Sequence, residues 1–359
     1  MNPVSIAVSV AIQAGLPVAL RGKPGVGKTS MIEGIARDLD LHLEVVIGSL
    51  REPTDLAGLP IVGDDNTVHL SPPRWAVNAA SAPNGSLVLL DELTTASPSV
   101  QAAMLRVIRE RVVGELEMGD SVRIVAAYND ARDCGGYELE LPMRSRLLHI
   151  NVSADADEFI DGLVNGWHSP TIRTEVLTSS EKRVSNARLV AGYLKARPSL
   201  VEATPNEYSS GGYPCPRTWE MVVDALTAAD CAEVDEEVRF ILIAGCIGEG
   251  AATEFLAWTT ALDLPDPKDI LRHPEKLKEH LSLQRPDRTF VILAAIVDTA
   301  IDIKVNAAWQ AGVKVLAAAV DEGYGDIVAF LGRKLVEARP DGVALPVEMS
   351  RIASFLRSV

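Results

Sequence analysis

The chain has 359 residues, 47% hydrophobic and 23% charged, with a formal net charge of −15. That length suffices for two or three domains, and the mixture is that of a soluble globular protein. The acidic balance argues against a broad nucleic-acid surface, and an aromatic content of 5% leaves little material for stacking bases. No apolar stretch is long enough to cross a bilayer, so no membrane partner is expected. Cys134, Cys215, Cys231 and Cys246 form no C-x-x-C, and the six histidines show no ligand spacing with them. Neither structural zinc nor a disulfide framework is expected, and reduced thiols in the cytoplasm are.

The N-terminal run MNPVSIAVSVAIQAG is apolar, has no basic segment ahead of it and leads straight into a strand. It is expected to be a packed helix, not a leader peptide. Leu16–Arg21 (LPVALR) reads as a short buried strand. Next comes GKPGVGKT, Gly22 to Thr29, a full match to the phosphate-loop pattern G-x-x-x-x-G-K-[ST]. In such a loop glycines let backbone amides close on a triphosphate, and the following helix adds the positive end of its dipole. The candidate nucleotide-binding run is Gly22, Lys23, Pro24, Gly25, Val26, Gly27, Lys28, Thr29 and Ser30. Lys28 would reach the β- and γ-phosphates, and the Thr29 hydroxyl would bind Mg²⁺. Glycine-rich turns also arise for purely structural reasons. Here Ser30–Leu39 is helical, with Met31, Ile35 and Leu39 on one face, so strand, loop and helix stand in the required order.

Further along, Leu43–Ile47, Ser86–Leu90, Val122–Ala127 and Leu147–Val152 are short β-branched-rich runs. With Leu16–Arg21 they make a five-strand set, and continuous apolar strands separated by helices predict a parallel sheet covered on both faces. Leu59–Leu70 and Arg111–Val125 read as extra hairpins, either surface decoration or loops that face a partner or a pore. Ser86–Leu93 (SLVLLDEL) ends a buried strand in two acids. Asp91 would hold Mg²⁺ and Glu92 would polarise the attacking water. A first-turn helix decoration is the plain alternative, which the upstream phosphate loop disfavours. Val122–Asp130 ends in a polar residue, Asn129, placed to reach the γ-phosphate or orient the water. Pro142–Arg146 (PMRSR) carries two arginines, Arg144 and Arg146, whose planar guanidinium suits phosphoryl charge.

From about residue 153 the pattern is helical, with clear runs at Ser180–Ala196, Pro216–Ala229, Asp235–Cys246 and Ala251–Leu262. A boundary near Leu264–Pro267 opens a last section holding Phe290–Val305, Ala307–Asp321, Tyr324–Glu337 and Pro346–Leu356. Three domains are therefore expected: residues 1–152, 153–264 and 265–359.

GKPGVGKT, LVLLDEL, Asn129 at the end of VRIVAAYN, MRSRLL and CPRTWE stand in the order of an AAA+ ATPase. The chain most resembles the MoxR branch of that superfamily. REPTDLAGLPIVGDDNTVHLSPPRW is similar to the insert in that branch's second helix, and RVVGELEMGD to the hairpin before its first sensor strand. The resemblance covers about the first 265 residues. It implies an α/β P-loop NTPase core of AAA+ type, then an all-α lid and a C-terminal helical section. Asn129 then matches sensor 1, and Arg217 in CPRTWE matches sensor 2 on the lid. Arg146 matches the finger that acts on ATP held by a neighbouring subunit, with Arg144 close by and Leu147 where the family commonly has Phe. Such a finger is worth roughly 10³–10⁵ in rate. A homo-oligomeric ring, a hexamer, is implied, as is chaperone-like work on a protein client bearing a von Willebrand A-type domain. The alternatives are a nucleic-acid motor subunit of a defence complex and a non-hydrolysing scaffold. Sparse Lys and Arg in the hairpins count against the first, and the Asp91–Glu92 pair against the second.

Overall fold

The computed structural model describes residues 2–165, 179–205, 211–340 and 342–356. They form two compact units. One comprises Met1–Arg183 with Leu200–Glu254, and the other Val184–Ser199 with Phe255–Val359.

The first unit opens with helix α1 (Pro3–Gln13). Pro3 fits the first turn, and the Asn2 side chain accepts from the Val4 amide at 2.9 Å, so both local signals start the helix where it begins. Strand β1 (Val18–Arg21) and helix α2 (Lys28–Asp38) flank the glycine loop, and β2 (His42–Ile47) follows. A single turn, α3 (Thr54–Ala57), leads into the hairpin β3 (Leu59–Val62) and β4 (Val68–Ser71). Then come α4 (Arg74–Ser81), β5 (Ser86–Asp91) and α5 (Pro98–Glu110). Two-residue strands β6 (Val112–Val113) and β7 (Leu116–Glu117) make a second hairpin before β8 (Val122–Tyr128). The short turns α6 (Ala131–Cys134) and α7 (Leu141–Arg144) precede β9 (Leu148–Asn151).

β2, β5, β8, β1 and β9, in that order, form one parallel sheet. All five expected strands are in it. The apolar runs explain why: in β5, Leu87 and Leu89 alternate with Val88 and Leu90, and all four are fully buried. Both faces of the sheet are therefore covered. On one face Val88 and Leu90 join Val100, Met104 and Val107 of α5 and Trp75 of α4 in a single core cluster. Because the strands are parallel, the carboxyl ends of β1, β5 and β8 open on the same edge, where such sheets bind ligands.

The described residues beyond the sheet are mainly helical, as the periodicity predicts. The described helices are α8 (Ala156–Asn165), α9 (Ser180–Ala196), α10 (Pro216–Cys231), α11 (Glu236–Ile247) and α12 (Glu249–Thr260). In the first unit α10 packs on α11, and α11 packs on α1 and β9. The second unit is built from α13 (Pro267–Arg272), α14 (Leu277–His280), α15 (Pro286–Asp302), α16 (Asn306–Asp321), α17 (Gly325–Glu337) and α18 (Met349–Leu356), with Val184–Ser199. Its core gathers Leu293, Val297, Trp309, Leu316 and Leu335, and the Trp309 indole donates to the Leu335 carbonyl at 2.7 Å. Asp298, 7% exposed, would be a costly buried charge alone; Arg188 and Lys334 both pair with it. Among the described residues no helix is long and apolar enough to cross a membrane.

One buried polar bond spans two of the strands that flank β1. His149 of β9 lies 2.8 Å from the Tyr128 hydroxyl through Nδ1 and 3.0 Å from the Arg144 carbonyl through Nε2. A carbonyl only accepts, so Nε2 carries the proton, Nδ1 accepts from Tyr128, and the ring is neutral. Burial drives its pKa down to about 4. An unfolded chain takes up this proton near pH 6.5, so the ring's contribution to stability is full above that pH and is lost as pH falls towards 4. From pH 7 to pH 5 the loss should be about 2 kcal/mol. Urea midpoints across that range should fall more steeply for the parent than for His149→Gln; parallel slopes would show that this ring does not titrate as described.

Candidate nucleotide-binding site

The loop between β1 and α2 is shaped by its turn glycines. Gly25 has φ +81° and Gly27 φ +90°, a left-handed backbone that side chains rarely adopt, and no atom lies within 4 Å of where a Cβ would stand on either. Gly27 caps α2 without any side-chain acceptor. The amides of the first turn are thus free for an anion, at the positive end of the helix dipole.

Lys28 is the first residue of α2 and is 9% exposed. Its ammonium donates to the Gly22 carbonyl at 2.8 Å, the Lys23 carbonyl at 3.1 Å and Asn129 Oδ1 at 2.7 Å. Burial lowers its pKa from the ordinary lysine value, and the Asp91 carboxylate partly offsets this. Thr29 Oγ1 donates to Asp91 Oδ2 at 3.1 Å. The loop is therefore bonded directly to the ends of β5 and β8. A second tie runs alongside: the Arg21 guanidinium forks onto both carboxylate oxygens of Asp130 at 2.8 Å. That hydrogen bond, with the charge of Asp130, raises the Arg21 pKa. Thr94 holds the Asn129 carbonyl at 2.9 Å.

Glu92 follows Asp91 and has φ +57°, an unusual conformation for a glutamate. Its carbonyl accepts from the amides of Thr95 and Ala96, and its own amide donates to Asp91 Oδ1 at 2.8 Å. These bonds hold the strained turn in place. The Glu92 carboxylate accepts from the hydroxyl of Ser49, in the turn after β2. β2 is the edge strand, and β5 separates it from β8 and β1.

The arginines form a separate group. Arg217, at the start of α10, donates to Ser145 Oγ at 2.9 Å. Arg146, half-buried, donates to the Pro142 carbonyl at 2.6 Å, and burial and the charges of Arg217 and Arg109 lower its pKa. Arg144 is 6% exposed and turns inward. The sequence-predicted residues thus fall into two sets. Lys28, Thr29, Asp91 and Asn129 are joined by hydrogen bonds and Glu92 adjoins them, while Arg146 and Arg217 gather around the 142–145 turn. Sequence reasoning missed Ser49, Ser145 and the Arg21–Asp130 pair. Only the last left a trace, since its members sit directly before Gly22 and directly after Asn129.

Residues 17–147 match the AAA domain of the dynein-related subfamily. Protein MoxR of Methylorubrum extorquens is 30% identical over 155 residues, 42% of this chain and 44% of MoxR. The transcriptional regulatory protein XylR of Pseudomonas putida is 27% identical over 159 residues, 40% of this chain and 27% of XylR. The crystal structure of an ATPase candidate from Cytophaga hutchinsonii, 15% identical, superposes with a TM-score of 0.44 over 70% of this chain and 87% of that one. The chain spans less than half the length of either curated relative. The order of the parallel sheet and the glycine loop with Asp91 and Asn129 beside it are those of an AAA+ core, and the matched residues run from its β1 to its α7. Over those 155 residues the chain is similar to MoxR.

The site fits a magnesium–nucleotide complex, with open loop glycines, a buried ammonium, and a hydroxyl and carboxylate already in contact. Lys28→Ala should weaken binding of a fluorescent ATP analogue at least about tenfold, or 1.4 kcal/mol; an unchanged titration would place the nucleotide elsewhere. Ser49→Ala should free Glu92 and raise basal ATP turnover by about two- to fivefold, the scale of one hydrogen bond. A fall in turnover would mean that Ser49 supports Glu92 instead of restraining it.

Proposed function

We propose that this chain is a Mg²⁺-dependent ATP hydrolase that works as a homo-oligomeric ring, a hexamer, in the cytoplasm and remodels or activates a protein partner. The observation that carries the reading is the pair of direct bonds from the loop, Lys28 to Asn129 and Thr29 to Asp91. They put the groups that hold phosphate, metal and water within reach of one another. Lys28 would exchange its present oxygen partners for phosphate oxygens. Gly22, Lys23, Pro24, Gly25, Val26, Gly27 and Ser30 would cradle the rest of the triphosphate, and Thr29 and Asp91 would hold Mg²⁺, which neutralises charge on the phosphate oxygens. Glu92 is the general base and Asn129 orients the water.

Arg146 is assigned as the finger that completes a neighbour's site. Its guanidinium is half-exposed, whereas Arg144 is buried within its own protomer, which favours Arg146 of the two. Arg217 is assigned as the lid arginine. Head-to-tail sharing of a site closes naturally into a ring. On this reading residues 1–152 are the nucleotide core, 153–264 the lid, and 265–359 a helical section that braces the ring or docks the partner.

A protein client, for instance one with a von Willebrand A-type domain, is favoured over nucleic acid by the β3–β4 hairpin. That ribbon exposes Leu59, Ile61, Val62 and Val68, and apolar side chains offer nothing to phosphates.

Glu92→Gln should keep ATP binding and lose turnover by roughly a hundredfold or more, because only the base is removed. Turnover near the parent rate would sink that assignment. Specific activity of the parent with Mg²⁺ should rise cooperatively with protein concentration and then level off. An active monomer, identified by sizing the most dilute active sample, would overturn the shared site.

A further inference from the structure

The turn between α7 and β9 holds an arginine that the proposed chemistry leaves unused. Arg144 is 6% exposed. Its Nε donates to the Gly211 carbonyl at 3.0 Å, and its guanidinium carbon lies 5.4 Å from the centre of the Tyr213 ring. Among the described residues its Nη2 is buried without a hydrogen-bond partner, and no carboxylate forms an ion pair with it. Burial correspondingly lowers its pKa. A buried cation held by one carbonyl and one ring is an expensive way to fill space, which an apolar side chain would do better. Such a residue calls for a role beyond packing.

Its neighbours suggest the role. The Arg144 carbonyl is the acceptor of His149, whose ring takes the Tyr128 hydroxyl, and Tyr128 directly precedes Asn129. Ser145, the next residue, is the acceptor of Arg217, and Arg146 follows. On the other side of the guanidinium, Gly211 and Tyr213 belong to the segment that leads into α10, which carries Arg217 at its second position. The Tyr213 hydroxyl also reaches the Leu141 carbonyl at 3.5 Å. One residue thus joins the end of the sheet, the turn of the outward arginine and the approach to the lid arginine.

We propose that Arg144 is a positioning residue that clamps the 211–213 segment to the 141–146 turn, so that Arg217 and Arg146 are placed together and in register with Asn129. It acts within its own protomer and does not touch the nucleotide. The clamp is made of one hydrogen bond from the guanidinium to a carbonyl and one cation–π contact, with no carboxylate to lock it. It is therefore reversible on the scale of a lid movement, and the idle Nη2 is free to take a new acceptor when the segment shifts. This inference rests on the ATPase reading for its consequence, though not for its geometry.

The test uses Arg144→Gln and Arg144→Lys in the full chain, with Tyr213→Leu as a second way to open the clamp should Arg144→Gln fold poorly. Amide hydrogen exchange without nucleotide reads the clamp directly: exchange at 211–217 should quicken about tenfold in Arg144→Gln and Tyr213→Leu, and less in Arg144→Lys. Unchanged exchange overturns the proposal whether or not the parent hydrolyses ATP. An inactive parent with quickened exchange would sink the hydrolase reading and leave the clamp standing. In an active parent, Arg144→Gln should lower kcat roughly tenfold to a hundredfold, with ATP binding changed less than about threefold. Added to a variant already carrying Arg146→Ala and Arg217→Ala it should cause no further loss, since it acts through those two arginines; multiplying losses overturn it.

Discussion

The ammonium of Lys28 is the contact on which the site depends. It stands at the first turn of α2 and bonds to the loop that precedes it and to Asn129 at the end of β8. A buried cation must find oxygen, and here every oxygen it finds belongs to the nucleotide-binding edge. The loop is thereby closed on itself and drawn to the strand beside β1. The Arg21–Asp130 fork repeats the same join one residue outside it on each strand. These two cationic ties, with the Thr29–Asp91 bond, give the glycine loop a fixed shape before any phosphate arrives. Preorganisation of this kind spares a bound ligand the work of ordering its own site.

Most of this architecture was legible in the sequence because it rests on local rules. The glycine spacing of Gly22–Thr29 dictates a turn, and fully apolar strands such as β5 dictate a sheet covered on both faces. The expected span Ser180–Ala196 coincides with α9. What was not legible lies in contacts between residues far apart in the chain. Ser49 meets Glu92 across 43 positions and Arg217 meets Ser145 across 72, and a single serine has no spacing to announce it. The neutral state of His149 follows only from its two partners and its burial. The inward turn of Arg144 is likewise a matter of packing, since PMRSR alone makes its two arginines look equivalent.

The resting arrangement of Glu92 bears on how the site is controlled. Its backbone is strained and its carboxylate is taken by Ser49, from the edge strand. The Glu92 carboxylate is therefore engaged by a hydroxyl while the glycine loop is already formed. If Glu92 serves as the base proposed above, binding and chemistry are separable: the one is built by β1, α2 and β8, the other waits on the release of one hydroxyl. Arg217 and Arg146, gathered on the 142–145 turn, form the other separable element.

The β3–β4 ribbon carries Leu59, Ile61, Val62 and Val68 into solvent on a chain whose overall charge is strongly negative. Attraction to anything that covers this ribbon will come from water release, not from charge. Its thermodynamic mark is a negative heat-capacity change on association, with an affinity that holds up in concentrated salt and weakens on cooling. A complex formed here would loosen in the cold room and tighten at growth temperature, the reverse of one held by ion pairs.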